Sequence, residues 1–323
     1  MKRTVVLILA LAFCVVAQDD VIRVDTDVTN LPFTAMDKKR RFVTSLRAED
    51  LRVLEDGVPQ KLFTFHRETD RPLAIAFLID VSWSQEDTLP DEKAAARLFI
   101  EKVIRSDRDM VAIVPFTGSA YLEQPLTRDL LSVYRVLQRI EVAVPAYYGA
   151  GRPLAGIPTG PGLPATPAEG KTAIWDAVAL TSSNVLAKAP GLRRRAIILL
   201  TDGLDTAARL DQKEAINRAL SAETVIYAIG IGNQREGVNR DVLRDLAQRT
   251  GGRAFFPDKK FDLHAAFAEI EQELRTQYLL AYSSTNKKRD GAYRKISVEI
   301  INPELRKEKL EIRHRPGYYA KPS

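Results

Sequence analysis

The sequence predicts an α/β fold, a doubly wound and mostly parallel sheet with helices on both faces, plus a small β-module built from the two ends of the chain. Between residues 71 and 275, apolar runs alternate with helical patterns, which is typical of a sheet covered on both faces. The segments before and after this region carry strand and turn patterns without helices between them. With 323 residues, 45% of them hydrophobic, the chain is long enough for one domain of about 200 residues and another of about 100.

The first 17 residues have the features of a secretory signal peptide. Lys2 and Arg3 precede an apolar run, Val5–Val16, which is too short to span a bilayer as a helix, and the small residue Ala17 follows. We therefore expect export to the periplasm or the extracellular space, with no stable membrane span after cleavage. Cys14 is the only cysteine, so the mature protein would have none, which excludes thiol catalysis and cysteine-ligated zinc.

The charge pattern argues against nucleic-acid binding. The formal net charge is +6 and falls to +4 once Lys2 and Arg3 are removed. Short basic clusters at 193–195 and 287–289 flank predicted strands, and no basic stripe is interleaved with aromatic residues. We expect no nucleic-acid partner.

The central region divides into strands and helices in a regular order. Apolar runs predict five strands and one short edge strand: Leu73–Ile79, Met110–Phe116, Ala120–Leu122 (the edge), Ala196–Leu200, Thr224–Ile229 and Arg253–Phe256. Helical patterns predict six helices: Asp91–Arg105, Asp129–Ile140, Thr172–Ala187, Gln212–Ala222, Arg240–Arg249 and Leu263–Arg275.

The two ends of the chain carry the remaining strands. Residues 21–70 alternate apolar and polar positions and contain a turn signal at Glu55-Asp56-Gly57. After the central region, residues 276–323 hold strand patterns at Tyr278–Tyr282, Lys295–Ile301 and Lys309–Arg313. Because either set of strands is too small to be stable alone, we expect 18–70 and 276–323 to join as one β-module beside a domain spanning 71–275.

One long segment fits no regular element. Pro145–Gly170 contains six prolines and six glycines in 26 residues. Loops of this length inside a compact domain are usually functional or disordered. We expect this loop to shape the rim of the site described next.

Oxygen-bearing side chains follow two of the predicted strands. Asp80, Ser82 and Ser84 come at the end of the first strand, and Thr201-Asp202-Gly203 ends the strand Ala196–Leu200. Ligands bind beyond the carboxyl ends of parallel strands, so these groups lie where a site is expected. Oxygen ligands without sulfur or histidine suit Mg²⁺, Ca²⁺ or Mn²⁺. Two carboxylates leave such an ion incompletely coordinated, so water or an incoming acidic group would complete it.

The Asp-x-Ser-x-Ser motif at 80–84, the later Thr172 and the Thr-Asp-Gly motif at 201–203 resemble the metal-ion-dependent adhesion site of von Willebrand factor A domains. In that family the serines and the threonine bind the ion directly or through water, and the aspartates act largely through water. The resemblance implies that five residues hold a divalent cation, foremost Mg²⁺: Asp80, Ser82, Ser84, Thr172 and Asp202. It also implies that a Glu or Asp of a protein partner fills the open position.

The resemblance extends beyond the site. Phe42–Leu46, Glu49–Leu51 and Leu54–Gln60 are similar to the leader of the acidobacterial VWFA-related domain family, and Leu274–Tyr278 and Arg315–Tyr319 are similar to its tail. The similarity thus covers nearly the whole mature chain. It implies an exported, non-catalytic binding protein.

Two positions depart from the family pattern. Trp83 stands where small or polar residues are common, and it either contacts a partner or packs under the Pro/Gly-rich loop. Lys171 stands where glycine is common, and we expect its ammonium group to point to solvent because it would otherwise oppose cation binding.

Two other classes of function are consistent with parts of the sequence. Ala165–Thr172 satisfies a permissive phosphate-loop pattern, with Asp202 as its acidic partner, but the preceding residues are rich in Pro and Gly, and export would separate the protein from cellular ATP. A metal-assisted hydrolase would use Asp80 as nucleophile, yet Ser82 stands where a second acid would help. The histidines, His66, His264 and His314, are scattered along the chain, and no nucleophile–base pair is apparent.

Overall fold

The computed structural model describes residues 28–67, 71–143, 171–191, 194–232, 237–258 and 260–321. The predicted signal peptide and the Pro145–Gly170 loop lie outside these ranges. No helix in the described part of the chain is long and apolar enough to cross a membrane.

The chain forms fourteen strands and seven α-helices within the described ranges. The strands are β1 (Val28–Met36), β2 (Leu51–Glu55), β3 (Val58–Gln60), β4 (Leu62–Arg67), β5 (Leu73–Asp80), β6 (Met110–Phe116), β7 (Gln124–Thr127), β8 (Arg194–Thr201), β9 (Thr224–Gly230), β10 (Ala254–Phe255), β11 (Tyr278–Ser283), β12 (Tyr293–Ile300), β13 (Glu311–His314) and β14 (Gly317–Tyr319). The helices are α1 (Leu89–Val103), α2 (Leu130–Arg139), α3 (Ile174–Leu180, continued by a π-helical turn to Leu186), α4 (Gln212–Ser221), α5 (Arg240–Thr250), α6 (Lys260–Thr276) and α7 (Pro303–Glu308).

The central sheet has six strands in the order β10-β9-β8-β5-β6-β7. All neighbouring pairs are parallel except β6 and β7. The chain runs outward from β5 through β6 to β7, then returns to the other side of β5 and continues through β8, β9 and β10. The order therefore reverses between β5 and β8, and in sheets of this kind ligands bind at that reversal, beyond the carboxyl ends of the strands.

Both faces of this sheet are covered by helices. All eight residues of β5 are buried, which is why the run Leu73–Ile79 is apolar without alternation. Ile75 and Phe77 belong to a core shared with α1, α2 and α6 on one face. Ala76 and Leu78 belong to a second core shared with α3, α4 and α5 on the other. The predicted doubly wound α/β class is confirmed.

The edge strand differs from its prediction. It lies at Gln124–Thr127 rather than Ala120–Leu122, and Ala120 makes only an isolated bridge to Phe116. The backbone N–H of Tyr121 donates to the Pro115 carbonyl at 2.9 Å, so the residues after β6 form a tight reversal before the antiparallel ladder begins. The prediction of an edge strand at Ala120–Leu122 was therefore wrong, because the observed strand begins two residues after the predicted one ends.

The two ends of the chain combine in two antiparallel sheets, with orders β13-β1-β11-β4 and β14-β12-β2-β3. Each sheet contains strands from before and after the central domain. Side chains from both sheets form one further core, including Leu31, Phe33, Val53, Tyr278 and Ile296. The β-module from N- and C-terminal segments is thus observed. The sequence did not predict α7 and β14. The domain boundaries 18–70, 71–275 and 276–323 stay a prediction.

A buried carboxylate lies at the centre of the β-module. Glu55 accepts hydrogen bonds from Tyr282 Oη and Tyr318 Oη, both 2.9 Å, and from the Ser284 hydroxyl. The Arg294 guanidinium lies 3.5 Å away, is as buried as Glu55 itself, and also donates to backbone carbonyls. Because Glu55, Arg294, Tyr282 and Ser284 are buried and Tyr318 is partly buried, this polar network specifies how the two sheets fit together.

Candidate metal centre

The predicted site residues lie at the reversal of strand order between β5 and β8. Ile79 pairs with Leu200, so the strand ends that follow are neighbours. Asp80 is the last residue of β5, and Asp202 directly follows β8. The two carboxylates are therefore brought to the same edge of the sheet by strand pairing alone.

Asp80 is fully buried and held from two sides. Its Oδ1 accepts from the Ser82 backbone N–H at 3.0 Å, and its Oδ2 accepts from Thr201 Oγ1 at 2.6 Å. Burial raises the pKa of Asp80 to about 7, although the hydrogen bonds from Thr201 and Ser82 lower it in part, and the nearby charge of Asp202 adds to the increase. The carboxylate is thus fixed in position but poorly solvated, and a bound cation would favour its charged form.

A chain of hydroxyl contacts connects the loop after β5 to Asp202. Ser82 Oγ lies 3.1 Å from Ser84 Oγ, and Ser84 Oγ donates to Asp202 Oδ2 at 2.9 Å. Gln85 Nε2 lies 3.3 Å from the same oxygen, while Oδ1 of Asp202 accepts from the Leu204 backbone N–H at 2.9 Å. Asp80, Ser82, Ser84 and Asp202 therefore converge within one hydrogen-bonded network.

Thr172 is attached to the same edge through its backbone. Its N–H donates to Thr206 Oγ1 at 2.8 Å, and its carbonyl accepts from the N–H groups of Thr206 and Ala207 at 2.8 and 3.0 Å. The residue is buried and lies two positions before the first residue of α3. The loop after Asp202 and the start of α3 are thus joined, which brings Thr172 to the site region; a role for its hydroxyl is a prediction.

Two further carboxylates hold this loop in place. Asp205 Oδ1 accepts from the Ile174 N–H at 2.7 Å and so caps the start of α3 from a distant part of the chain. Asp176 Oδ1 accepts from the N–H groups of Arg209 and Leu210 at 3.1 and 2.9 Å. Because these contacts use backbone donors, they order the loop around the candidate site.

Glu92 is a buried acid beside the site that sequence analysis missed. It is fully buried on α1, and neither of its carboxylate oxygens accepts a hydrogen bond from a described residue, since the Thr88 hydroxyl donates instead to Gln85. Burial, with smaller contributions from the charges of Asp80 and Asp202, raises the pKa of Glu92 to about 8. A signal was present, because Glu92 stands three residues after Leu89 on the core-facing stripe of the helix.

The rim carries the two residues that depart from the family pattern. Trp83 is 43% exposed, and Lys171 is exposed while its backbone carbonyl accepts from Thr117 Oγ1 at 2.6 Å. The exposure of Lys171 agrees with the expectation that its side chain points to solvent. The loop that would pack over Trp83 lies outside the described residues.

The donor set fits a hard divalent cation. The converging groups are carboxylate and hydroxyl oxygens, which suit Mg²⁺, Ca²⁺ or Mn²⁺. Within the described ranges, no cluster of three or more His, Cys, Asp or Glu side chains could hold a metal ion, so the candidate site depends on two aspartates together with hydroxyl oxygens. Asp80, Asp202 and the nearby Glu92 place three carboxyl groups in a buried volume, where a bound cation would favour their charged forms.

Of the two other functions considered, the described residues bear only on the hydrolase. Residues 165–170 of the phosphate-loop pattern lie outside the described ranges. The three histidines lie on β4, α6 and β13, whereas the acids Asp80 and Asp202 lie at the ends of β5 and β8.

Comparisons with known proteins concern the fold. Residues 164–271 match the family model of the von Willebrand factor type A domain. Proximal thread matrix protein 1 from the mussel byssus, solved with a zinc-occupied MIDAS motif, is 17% identical with a TM-score of 0.50; the match covers 68% of this chain and 50% of that one. The chain thus spans only half the length of the mussel protein.

Two bacterial structures are also similar. A von Willebrand factor type A protein from Catenulispora acidiphila is 13% identical over 92% of this chain and 74% of that one, with a TM-score of 0.49. An aerotolerance-related membrane protein from Bacteroides fragilis is 19% identical over 62% and 98%, with a TM-score of 0.46. No curated protein sequence matches the chain. The family match and the mussel structure show the von Willebrand factor A fold, which confirms the sequence prediction.

Proposed function

We propose that this von Willebrand factor A-fold protein holds a divalent cation at the edge between β5 and β8 and uses it to bind a protein partner. The residues that would hold the ion, directly or through water, are Asp80, Ser82, Ser84, Thr172 and Asp202. Mg²⁺ is the favoured ion, with Ca²⁺ and Mn²⁺ as alternatives. The protein carries out no chemical step on its partner.

The observation that carries this proposal is the hydrogen-bonded chain from Ser82 through Ser84 to Asp202. Nothing in the local sequence requires residues 118 positions apart to meet, yet Ser84 Oγ lies 2.9 Å from Asp202 Oδ2. The hydroxyl and carboxylate oxygens lie close together in this chain. A cation bound among them would contact these oxygens and become the positive group beside the Asp202 carboxylate. A solved protein with this fold holds zinc in its MIDAS motif, which supports a metal at this edge.

The partner would supply an acidic side chain. Two aspartates and three hydroxyls leave room for one further oxygen ligand, and a carboxylate in that position would bring both charge and hydrogen-bonding capacity. Trp83 is 43% exposed on the loop that carries Ser82 and Ser84. A large aromatic ring at the rim would contact the partner surface around that carboxylate, because tryptophan is a common binding hot spot.

The proposal also includes export of the protein and its membership of the acidobacterial VWFA-related group. A signal peptide at residues 1–17 would deliver the protein to the periplasm or beyond, where divalent cations are abundant and ATP is not. The similarity of the ends of the chain to the acidobacterial VWFA-related proteins supports this assignment, with the β-module of 18–70 and 276–323 flanking the domain of 71–275.

Cation binding is tested by calorimetric titration of metal-free protein with Mg²⁺, Ca²⁺ and Mn²⁺. Wild type should bind one ion, and Asp202→Asn should weaken the affinity at least about ten-fold because it removes a charged oxygen. The matched control Asp241→Asn alters an acid that is 96% exposed on α5 and should leave the affinity unchanged. Equal affinity in wild type and Asp202→Asn would contradict the proposed ligand set.

Partner binding is tested by retention of exported proteins from the source cells on immobilised protein. Retention should require Mg²⁺, should be reversed by a chelator, and should be lost in Asp202→Asn. Trp83→Ala should reduce retention without changing the calorimetric affinity for the ion. Retention that is unaffected by chelator or by Asp202→Asn would place the binding surface elsewhere.

A further inference from the structure

A cavity lined by several charged side chains lies at the opposite end of the central sheet from the metal centre. It has a volume of about 390 Å³ and is bounded by the start of β8, the end of α4, the first residues of β1 and the β11–β12 loop. It is therefore formed jointly by the central domain and the β-module. Arg195, on its wall, precedes Asp202 by seven residues of extended chain, so the two sites are roughly 20 Å apart.

The lining of this cavity is strongly cationic. Apart from Arg294, whose charge is balanced by Glu55 and Asp290, six basic side chains line it against the single acid Glu223: Arg195, Lys287, Lys288, Arg289, Arg315 and Lys321. Glu223 is itself engaged, because its Oε1 accepts from Asn30 Nδ2 at 3.0 Å. The end of α4, which contributes a partial negative charge, offsets only part of this excess.

Two of these basic residues have a buried guanidinium nitrogen that makes no hydrogen bond to a described residue. Arg315 is 8% exposed; its Nη2 donates to the Asn30 carbonyl at 2.9 Å, but its Nε is buried without a hydrogen-bond partner among the described residues. Arg195 is similar, with Nη1 donating to the Ala222 carbonyl at 3.2 Å and a buried Nε that also has no described partner. Burial lowers the pKa of Arg315, which shows that its charge is poorly solvated.

We propose that this cavity binds a small soluble polyanion, a molecule carrying two or more phosphate or carboxylate groups. Guanidinium and ammonium groups converging from separate loops are the usual way in which proteins hold such anions. The volume is within the range of roughly 300–1,000 Å³ that small-molecule sites occupy. An anion in the cavity would stabilise the buried charges of Arg195 and Arg315 by Coulomb attraction, and it would link the two structural units that form the walls.

Titration with sodium pyrophosphate and with citrate, each against sodium chloride of equal ionic strength, tests this site. The protein is first freed of divalent cations, because both probes chelate them, so the result is independent of the metal centre. In calorimetry, wild type should show saturable binding of at least one of the two probes. The probe that binds with the higher affinity identifies phosphate or carboxylate as the preferred group. Absence of saturable binding at millimolar concentrations of both probes would overturn the proposal.

Three variants separate a built site from general surface charge. Arg195→Gln and the double variant Lys287→Gln/Lys288→Gln should each weaken binding at least about ten-fold. The double variant changes only exposed side chains and should fold even if Arg195→Gln does not. Arg139→Gln changes an exposed cation on α2 that does not line the cavity, and it should change the affinity less than about two-fold because salt screens such a charge. Equal weakening in Arg139→Gln would overturn the proposal.

A membrane surface is the competing source of anionic groups. Vesicles containing phosphatidylglycerol should not retain the protein at physiological ionic strength if the ligand is a small soluble molecule that enters the cavity. Retention by vesicles that pyrophosphate and citrate fail to displace would contradict a soluble ligand.

Discussion

Ser84 Oγ donates a 2.9 Å hydrogen bond to Oδ2 of Asp202, which joins the loop after β5 to the residue after β8. The same hydroxyl lies 3.1 Å from Ser82 Oγ, so Ser84 is the central member of the proposed ligand set. Its position makes it the residue whose removal should disconnect the site without disturbing the sheet beneath.

Ser84→Ala should lower the affinity for Mg²⁺ by about 10- to 100-fold, because it removes one oxygen donor and frees Asp202 to reorient. Loss of the hydrogen bond should cost only about 1 kcal/mol of unfolding free energy. Calorimetry and urea unfolding measure the two effects. Ser132→Ala is the control, since it removes a hydroxyl bonded to Asp129 at the start of α2. Unchanged affinity in Ser84→Ala would remove this residue from the site.

Thr201→Val tests whether a neighbour positions Asp80. The Thr201 hydroxyl donates to Asp80 Oδ2 at 2.6 Å, and valine keeps the shape without the donor. We expect about a ten-fold loss of Mg²⁺ affinity and a loss of about 1–3 kcal/mol in stability. Thr224→Val, at the start of β9, removes a buried hydroxyl at the far end of the sheet and should affect stability alone. If both variants bind Mg²⁺ as wild type does, Asp80 needs no such positioning.

The stability of the metal-free protein should fall as pH rises. Burial raises the pKa of Glu92 from 4.5 to about 8, so the folded state keeps a proton that the unfolded chain releases. Unfolding free energy should therefore decrease between about pH 4.5 and pH 8, by up to roughly 5 kcal/mol from this group. Asp80, with a pKa of about 7, contributes in the same direction.

Glu92→Gln isolates the share of that pH dependence due to Glu92. The amide does not titrate, so urea unfolding should show a shallower fall of stability with pH than wild type shows, with the remainder due to Asp80. Glu86→Gln, an exposed acid shortly before α1, should keep the wild-type slope. A wild-type slope in Glu92→Gln would mean that Glu92 is solvated in the folded protein.

The β-module should depend on the buried pair of Glu55 and Arg294. Glu55→Gln leaves Arg294 without its central counter-charge and should cost roughly 3–5 kcal/mol of unfolding free energy. Glu299→Gln breaks an exposed pair with Arg52 on the same sheet and should cost less than about 1 kcal/mol. Urea unfolding of both variants measures the difference. Similar small losses in both would show that the two sheets are held together by their apolar core alone.

Much of the fold could be predicted because its signals are local. The unbroken apolar run of β5 follows directly from burial of all eight residues, and the helices around it follow from amphipathic periodicity. The sequence could also suggest Asp80, Ser82 and Ser84 as candidate ligands, because they stand at and just beyond the end of that strand. Asp202 was suggested for the same reason at the end of β8, and the role of these residues stays a prediction.

The remaining features depend on contacts between distant parts of the chain. The capping of α3 by Asp205 and the support of Asp80 by Thr201 join residues far apart in sequence, and no local pattern indicates such pairs. Glu92 could have been found, since a charged residue on the buried stripe of α1 breaks the amphipathic pattern. The edge strand was misplaced because a reversal after β6 delays its pairing.

The central claim is that a cation binds where Asp80 meets Asp202, and thermal unfolding tests it most directly. At about 100 times its dissociation constant, Mg²⁺ should stabilise the metal-free wild type by about 2.7 kcal/mol, which corresponds to several degrees in Tm. Asp109→Asn is the matched control, because Asp109 is an equally buried carboxylate at the opposite end of the sheet that accepts from the N–H groups of Leu73 and Arg105. It should lower Tm yet keep the full Mg²⁺ shift.

Asp80→Asn, which keeps the shape of the side chain and removes its charge, should abolish that shift, and MgATP should give no larger shift than MgCl₂ in wild type. A Mg²⁺ shift of the same size in Asp80→Asn and wild type, or no shift with any of Mg²⁺, Ca²⁺ and Mn²⁺, would contradict the account. A shift that appears only with MgATP would instead indicate a nucleotide site.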